Sequence, residues 1–151
     1  MLGIENVTGN YVQNAGATTL MGLLGTGSGQ YGQLDVSGSA SFAGNLALDS
    51  TGLSGGLAAG QTFQLFDFAS STGGFTGLLV DGAALSSLGG GEWGYSGLLK
   101  FTEVWTTTSM SLSVSVVPEI DPASMASVLS LVVGSLGLAE RRLRRRNGRN
   151  G

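Results

Sequence analysis

The chain has 151 residues, 11% charged and 42% hydrophobic, with 27 glycines, two prolines and neither cysteine nor histidine. Globular proteins carry about 25% charged residues and disordered chains are poorer in apolar ones, so the composition argues for a packed body with many tight turns and against a solvated coil. The missing residues exclude disulfides, thiolate sites and thiol nucleophiles, together with the imidazole base and metal ligand on which most familiar catalytic constellations depend.

The formal charge of −3 conceals a division along the chain. Residues 1–118 hold one basic side chain, Lys100, against seven acids (Glu5, Asp35, Asp49, Asp67, Asp81, Glu92 and Glu103), a net of −6. Residues 141–151 hold six arginines and no acid, a net of +6. A body with one lysine cannot displace counterions from phosphate, which argues against nucleic acid as its partner.

The opening, "MLGIENVTGNYVQ", is polar and lacks the basic segment and apolar stretch of an export signal, so Met1 is expected to be an internal start within a longer reading frame. "NVT" at Asn6 has the form of a glycosylation acceptor, a pattern frequent by chance. "GSGQYG", residues 27–32, fits G-x-G-x-x-G, but dinucleotide binding needs a helix directly after it and the following residues alternate as a strand.

That strand pattern is "LDVSGSASFAGNLALD". Leu34, Val36, Ala40, Phe42, Leu46 and Leu48 share one phase, and mostly polar or small residues the other, as a strand with one buried face requires. Gly38 and Gly44 mark bends. "GLSGG", residues 52–56, places Ser54 in a G-x-S-x-G frame, yet without histidine Ser54 has no partner to make it a nucleophile. In "TFQLFDFAS", Phe63 and Leu65 fall on one phase and Phe66 and Phe68 on the other, which predicts a strand buried on both sides. Asp35, Asp49, Asp67 and Asp81 read as solvated turn acids, since no closely spaced D-x-D pair of the calcium-binding kind occurs.

"GGGEWGYSGLLKFTEVW" and the alternating "TSMSLSVSVV" predict a capping hairpin, with Trp93, Tyr95 and Trp105 as end cover; an aromatic sugar platform is the alternative use of those three rings. Short strands every eight to twelve residues or so, joined by Gly/Ser/Asn turns, suit a sandwich, a barrel or a stacked solenoid.

Two resemblances sharpen this. "GNYVQNAGATTL", "GQYGQLDVSGSASFAGNLALD" and "GLAAGQTFQLFDFASSTGGFTG" resemble the passenger-associated repeat of bacterial autotransporters over residues 7–77. The resemblance implies a right-handed parallel β-solenoid, partial in length. The chain after residue 77 is too short for an autotransporter's membrane barrel, so export by that route is not expected.

The second concerns residues 117–151. Residues 123–139 carry no charge and, at 1.5 Å per residue, span about 25 Å, the short end of what crosses a bilayer. Asp121 suits an N-cap and Pro122 the first helical position, while the arginines behind favour the helix C-terminus and mark the cytoplasmic side. Pro118–Glu119, an apolar run and a terminal arginine cluster in that order resemble a PEP-CTERM sorting signal. The resemblance implies a motif at Pro118, Glu119, Ile120, Asp121 and Pro122, with Ile120 where the second proline of that family usually stands. It also implies a transmembrane α-helix over 123–139, a stop and orientation cluster at Arg141, Arg142, Arg144, Arg145 and Arg146, and recognition by an exosortase, a membrane-embedded transpeptidase-like enzyme. Ala126, Ser130 and Gly134 form a small-residue stripe on that helix, a common tolerance in single spans that also permits close helix packing.

The sequence thus predicts a mainly β protein: residues 1–116 as a β-solenoid body with a capping hairpin, and 117–151 as a sorting segment with one transmembrane helix and a basic tail from 140. The expected role is an exported bacterial envelope or surface protein without catalysis or cofactor. It would pass through the inner membrane with its tail in the cytoplasm, then contact exopolysaccharide outside the cell. An adhesin or carbohydrate-binding protein, and a fragment of a secreted β-solenoid polysaccharide-active enzyme, are the alternatives.

Overall fold

The computed structural model describes residues 1–118, and the helix expected over 123–139 lies outside them. Among the described residues there are twelve strands and no helix. The chain alternates between two sheets. β1 (Ile4–Val7), β2 (Tyr11–Val12), β4 (Gln33–Phe42) and β6 (Thr62–Gly73) belong to the larger sheet, and β3 (Thr18–Gly22), β5 (Asn45–Asp49), β7 (Gly77–Val80) and β8 (Ala83–Ala84) to the smaller. β9 (Ser86–Gly89), β10 (Glu92–Tyr95), β11 (Leu99–Trp105) and β12 (Ser109–Val116) then return to the larger sheet.

The expected β-solenoid is not formed. Parallel pairing does occur, β1 and β2 on β4, β4 on β6, and β3 on β5 on β7, but it ends there. The far side of β6 pairs antiparallel with β12, and β7 pairs antiparallel with β8. The result is two mixed sheets, ordered β1-β4-β6-β12-β11-β10-β9 and β3-β5-β7-β8, neither of them closed. Alternation in the sequence specifies a buried face, not the direction of the neighbour. Direction follows from the connections: the turn at 106–108, where Thr106 N donates to Ser109 O at 2.9 Å, is too short for anything but antiparallel strands. The capping hairpin is corrected in the same way. Its strands lie beside β6 and widen the larger sheet by four, with no end of a column to cover.

One core joins both sheets. The predicted phase holds: Leu34, Val36, Ala40 and Phe42 of β4, and Met110, Leu112 and Val114 of β12, are buried. β6 departs from its reading. Met110 stands opposite Phe66 and Leu112 opposite Phe63, so the two phenylalanines share a face although three positions apart. The register shift between them is a β-bulge at Leu65, which inserts one residue and reverses the phase. The strand is therefore buried on one face only; Thr62 and Gln64 on the other are exposed. Phe42 is the aromatic centre of the core, with ring centroids 4.9 Å from Phe66, 5.3 Å from Phe75 and from Trp105, 5.8 Å from Phe68 and 5.9 Å from Tyr11.

The crossing between sheets is tight. Ala43 and Gly44 alone separate β4 from β5. Gly44 has φ +68° and packs so closely that an added Cβ would stand 2.3 Å from Ala17 O, so only glycine fits. Gly38 is constrained differently: a Cβ there would stand 2.4 Å from Asn10 Oδ1 and 2.5 Å from Gly9 O, where the 8–10 loop presses on β4. Inside the corner Gln13 is buried and fully used. Its Nε2 donates to Asn45 O at 2.9 Å and Ala17 O at 3.4 Å, while its Oε1 accepts from Thr19 Oγ1 at 2.6 Å and Tyr11 Oη at 3.2 Å.

Two substitutions test this account by urea unfolding of the full chain. Phe42→Ala empties the middle of the aromatic cluster and is expected to destabilise by about 3–5 kcal/mol. Gln13→Ala removes the amide donor to the Asn45 carbonyl and the acceptor of the Thr19 and Tyr11 hydroxyls, which keep only each other, and is expected to cost about 1–3 kcal/mol.

Candidate functional site

The outer faces of the two sheets differ in kind. On the larger sheet β12 presents Ser109, Ser111, Ser113 and Ser115, beside Thr62 and Gln64 of β6 and Lys100 and Thr102 of β11. Asp35 and Asp67 are neighbours across the β4–β6 ladder. Two amides hold the Asp67 carboxylate: Gln33 Nε2 donates to Asp67 Oδ2 and Gln64 Nε2 to Asp67 Oδ1, both at 2.6 Å. Lys100, the one basic side chain of the body, is held by Glu92. The face is thus a broad field of hydroxyls and amides in which Asp67 and Lys100 are engaged by neighbouring side chains.

The smaller sheet instead carries an apolar trough. Leu20 of β3 and Ala47 of β5 are cross-strand neighbours on its outer face. Two adjoining cavities, of about 300 and 380 Å³, share Leu20, Asp49 and Thr51; Leu2 and Leu24 line the first and Asp81 the second. The two carboxylates sit where β5 and β7 end. Asp49 Oδ1 accepts from Thr51 Oγ1 at 2.6 Å and from Thr51 N at 3.1 Å. The Thr51 hydroxyl first, and its backbone N–H second, hold the exposed Asp49 carboxyl below its ordinary value of 3.8. Asp81, in the left-handed region at φ 51°, takes Ser50 N at 2.6 Å and Ser50 Oγ at 2.7 Å, tying the turn after β5 to the end of β7. Both acids thereby fasten turns. They lie at an end of the trough, and the arrangement suits contact with a weakly polar surface better than proton transfer.

The aromatic residues of the meander face inward. Trp93 is 6% exposed, and Trp105 packs on Phe42, Phe68 and Phe75. Glu103 receives both indoles, Trp93 Nε1 on Oε1 at 3.0 Å and Trp105 Nε1 on Oε2 at 2.9 Å. Neither ring is free to stack a sugar from solvent, which disfavours the platform reading and assigns both to core cover.

The two dismissed motifs are turns. In residues 27–32 Gln30 N donates to Gly27 O at 3.0 Å and Gln30 Oε1 accepts from Gly27 N at 3.1 Å, so the side chain fills the loop a phosphate would need, and β4 follows directly. Ser54 is exposed in the loop before β6, with its backbone N–H on Leu24 O at 3.4 Å. Among the described residues no three His, Cys, Asp or Glu side chains converge as a metal site would need. Pro118 of the expected sorting motif is exposed and follows Val117, whose N–H donates to Leu98 O at 2.8 Å. Glu119, Ile120, Asp121 and Pro122, and Arg141, Arg142, Arg144, Arg145 and Arg146, lie outside the described residues. Sequence reasoning missed the trough and Glu103. The D-S-T run at Asp49 was the available signal, an acid able to cap the backbone two residues on.

No family model, no curated protein and no solved structure matches this chain.

Asp49 supplies a pH-dependent contribution of defined sign. Its carboxyl is depressed in the folded state, so the turn's stabilisation is complete above the ordinary value and is lost as pH falls through the lowered one. Thr51→Val keeps the shape and removes the hydroxyl. In a carboxyl-carbon NMR titration the Asp49 midpoint is expected to rise toward 3.8, and an unmoved midpoint refutes the assignment of the hydroxyl as main cause.

Proposed function

We propose that the chain is a non-catalytic bacterial envelope or surface protein whose C-terminal segment engages the inner membrane and is recognised there by an exosortase-like enzyme. The carrying observation is the order of parts in 118–151: Pro118–Glu119, seventeen uncharged residues over 123–139, then five arginines within 141–146. Guanidinium groups resist crossing the bilayer, so the cluster stops the segment and keeps the tail in the cytoplasm, leaving residues 1–116 outside.

Two features of the body support the reading. Among the described residues the core is built from side chains between Met21 and Val114, and the last strand ends at Val116, ahead of the uncharged run in the sequence. The hydroxyl and amide face of the larger sheet suits contact with a hydrated polysaccharide, which also needs many weak hydrogen bonds and little charge. That face supports exopolysaccharide as the external partner.

Replacing Arg141, Arg142, Arg144, Arg145 and Arg146 by asparagine in a host with the processing enzyme is expected to reduce the membrane-retained fraction and to scramble protease accessibility of the body. Fractionation and accessibility identical to the parent chain would overturn the proposal.

A further inference from the structure

β1 and β2 form one edge of the larger sheet. Both pair with β4, and among the described residues nothing pairs with their other side. Proteins normally guard such an edge with proline, lysine or covering chain, because its unpaired N–H and C=O groups invite another strand. Residues 1–24 contain no proline, lysine or arginine and a single charged side chain, Glu5. They do contain five of the nine large apolar side chains exposed on the body: Leu2, Ile4, Val12, Leu20 and Leu24, between 47% and 64% exposed. The neighbouring edge strand β3 is partly closed by the chain itself, with the Met1 ammonium on Leu20 O at 3.0 Å and Gly22 N on Met1 O at 2.6 Å. Among the described residues β1 with β2 is therefore an open hydrogen-bonding edge; β9 and β8 end the two sheets elsewhere, and the cluster of exposed apolar side chains singles out the β1–β2 edge.

We infer that this edge pairs with the same edge of a second copy, β1 antiparallel to β1 about a two-fold axis. Hydrogen bonding sets the class of partner, since a row of alternating donors and acceptors is matched by another extended strand. Charge and side chains favour the copy. Centred on Ile4, antiparallel pairing places Ile4 opposite Ile4, Gly3 opposite Glu5 and Leu2 opposite Asn6. The only charged side chain of the edge then faces a glycine and not its twin, and the exposed Leu2 and Ile4 of both copies meet. A two-fold contact of this kind is closed, so it ends at a dimer and does not propagate into fibres.

The absence of cysteine makes the test clean. Ile4→Cys creates the sole thiol, and facing residues of a hydrogen-bonded antiparallel pair have Cα atoms about 5.5 Å apart, within disulfide reach. The full chain in mild detergent is expected to give a disulfide-linked dimer from Ile4→Cys and little from Val116→Cys, a control on β12 that is equally accessible at 60% exposed. Sedimentation of the unmodified chain should give a dimer. Ile4→Lys, at a surface position 51% exposed, should weaken it at least about tenfold with an unchanged circular dichroism spectrum, while Val116→Lys should not. Three results would each refute the inference: a monomer up to about 0.1 mM, which leaves the edge to a strand of another chain; equal cross-linking at both positions; or an oligomer indifferent to Ile4→Lys, which would place association away from this edge.

Discussion

The corner where the chain passes from one sheet to the other is the constraint on which the body depends. Three successive passes must turn there within a few residues, and backbone bonds stitch one pass to the next, Gln13 N to Ser41 O, Asn45 N to Ala17 O and Thr76 N to Gly44 O, leaving further carbonyl valences and side-chain polar atoms to be matched. Gln13 resolves this: its amide reaches Asn45 of the next pass and Ala17 of its own, and its carbonyl collects the hydroxyls of Tyr11 and Thr19. Tyr11, Gln13 and Thr19 thereby act together. They form one hydrogen-bonded unit, and the two sheets can face each other over an apolar core because the unit pairs the buried side-chain polar atoms of the corner. Among the described residues no buried side-chain nitrogen or oxygen lacks a partner.

From that corner the division of labour follows. The inner faces meet around Phe42 and carry the stability, while the outer faces are free to differ. The larger presents hydroxyls and amides, with Asp67 held by two amides and Lys100 by Glu92. The smaller presents an apolar trough closed by two acids that also pin its turns. Under the proposed function, delivery is the task of the C-terminal segment, and these two outer faces are what the body offers for contact.

Glu103 shows how local and tertiary demands interact. On β11 it occupies an inward phase between Phe101 and Trp105, a position alternation reserves for an apolar residue. A carboxylate is tolerable there because two indole N–H groups converge on it, and each indole in turn needs an acceptor where it is covered. Neither half of the arrangement would be acceptable alone.

Burial was legible in the residues themselves: the phases of β4 and β12 and the turn at Gly44 follow from side-chain period and size, which are local properties, whereas Trp93 and Trp105, read as cover for the end of a column, cover the core between the sheets instead. The charge division and the uncharged run before the arginines are likewise properties of the chain alone, and the functional proposal rests on them. Strand direction, the Leu65 bulge and the trough were not legible. A period of two is the same for parallel and antiparallel neighbours, so only the packed structure decides that β12 lies beside β6. One inserted residue reverses a phase only because Met110 and Leu112 stand opposite and hold both phenylalanines inward. Asp49 and Asp81 are far apart in sequence and meet at one end of a trough because tertiary pairing brings β5 beside β7.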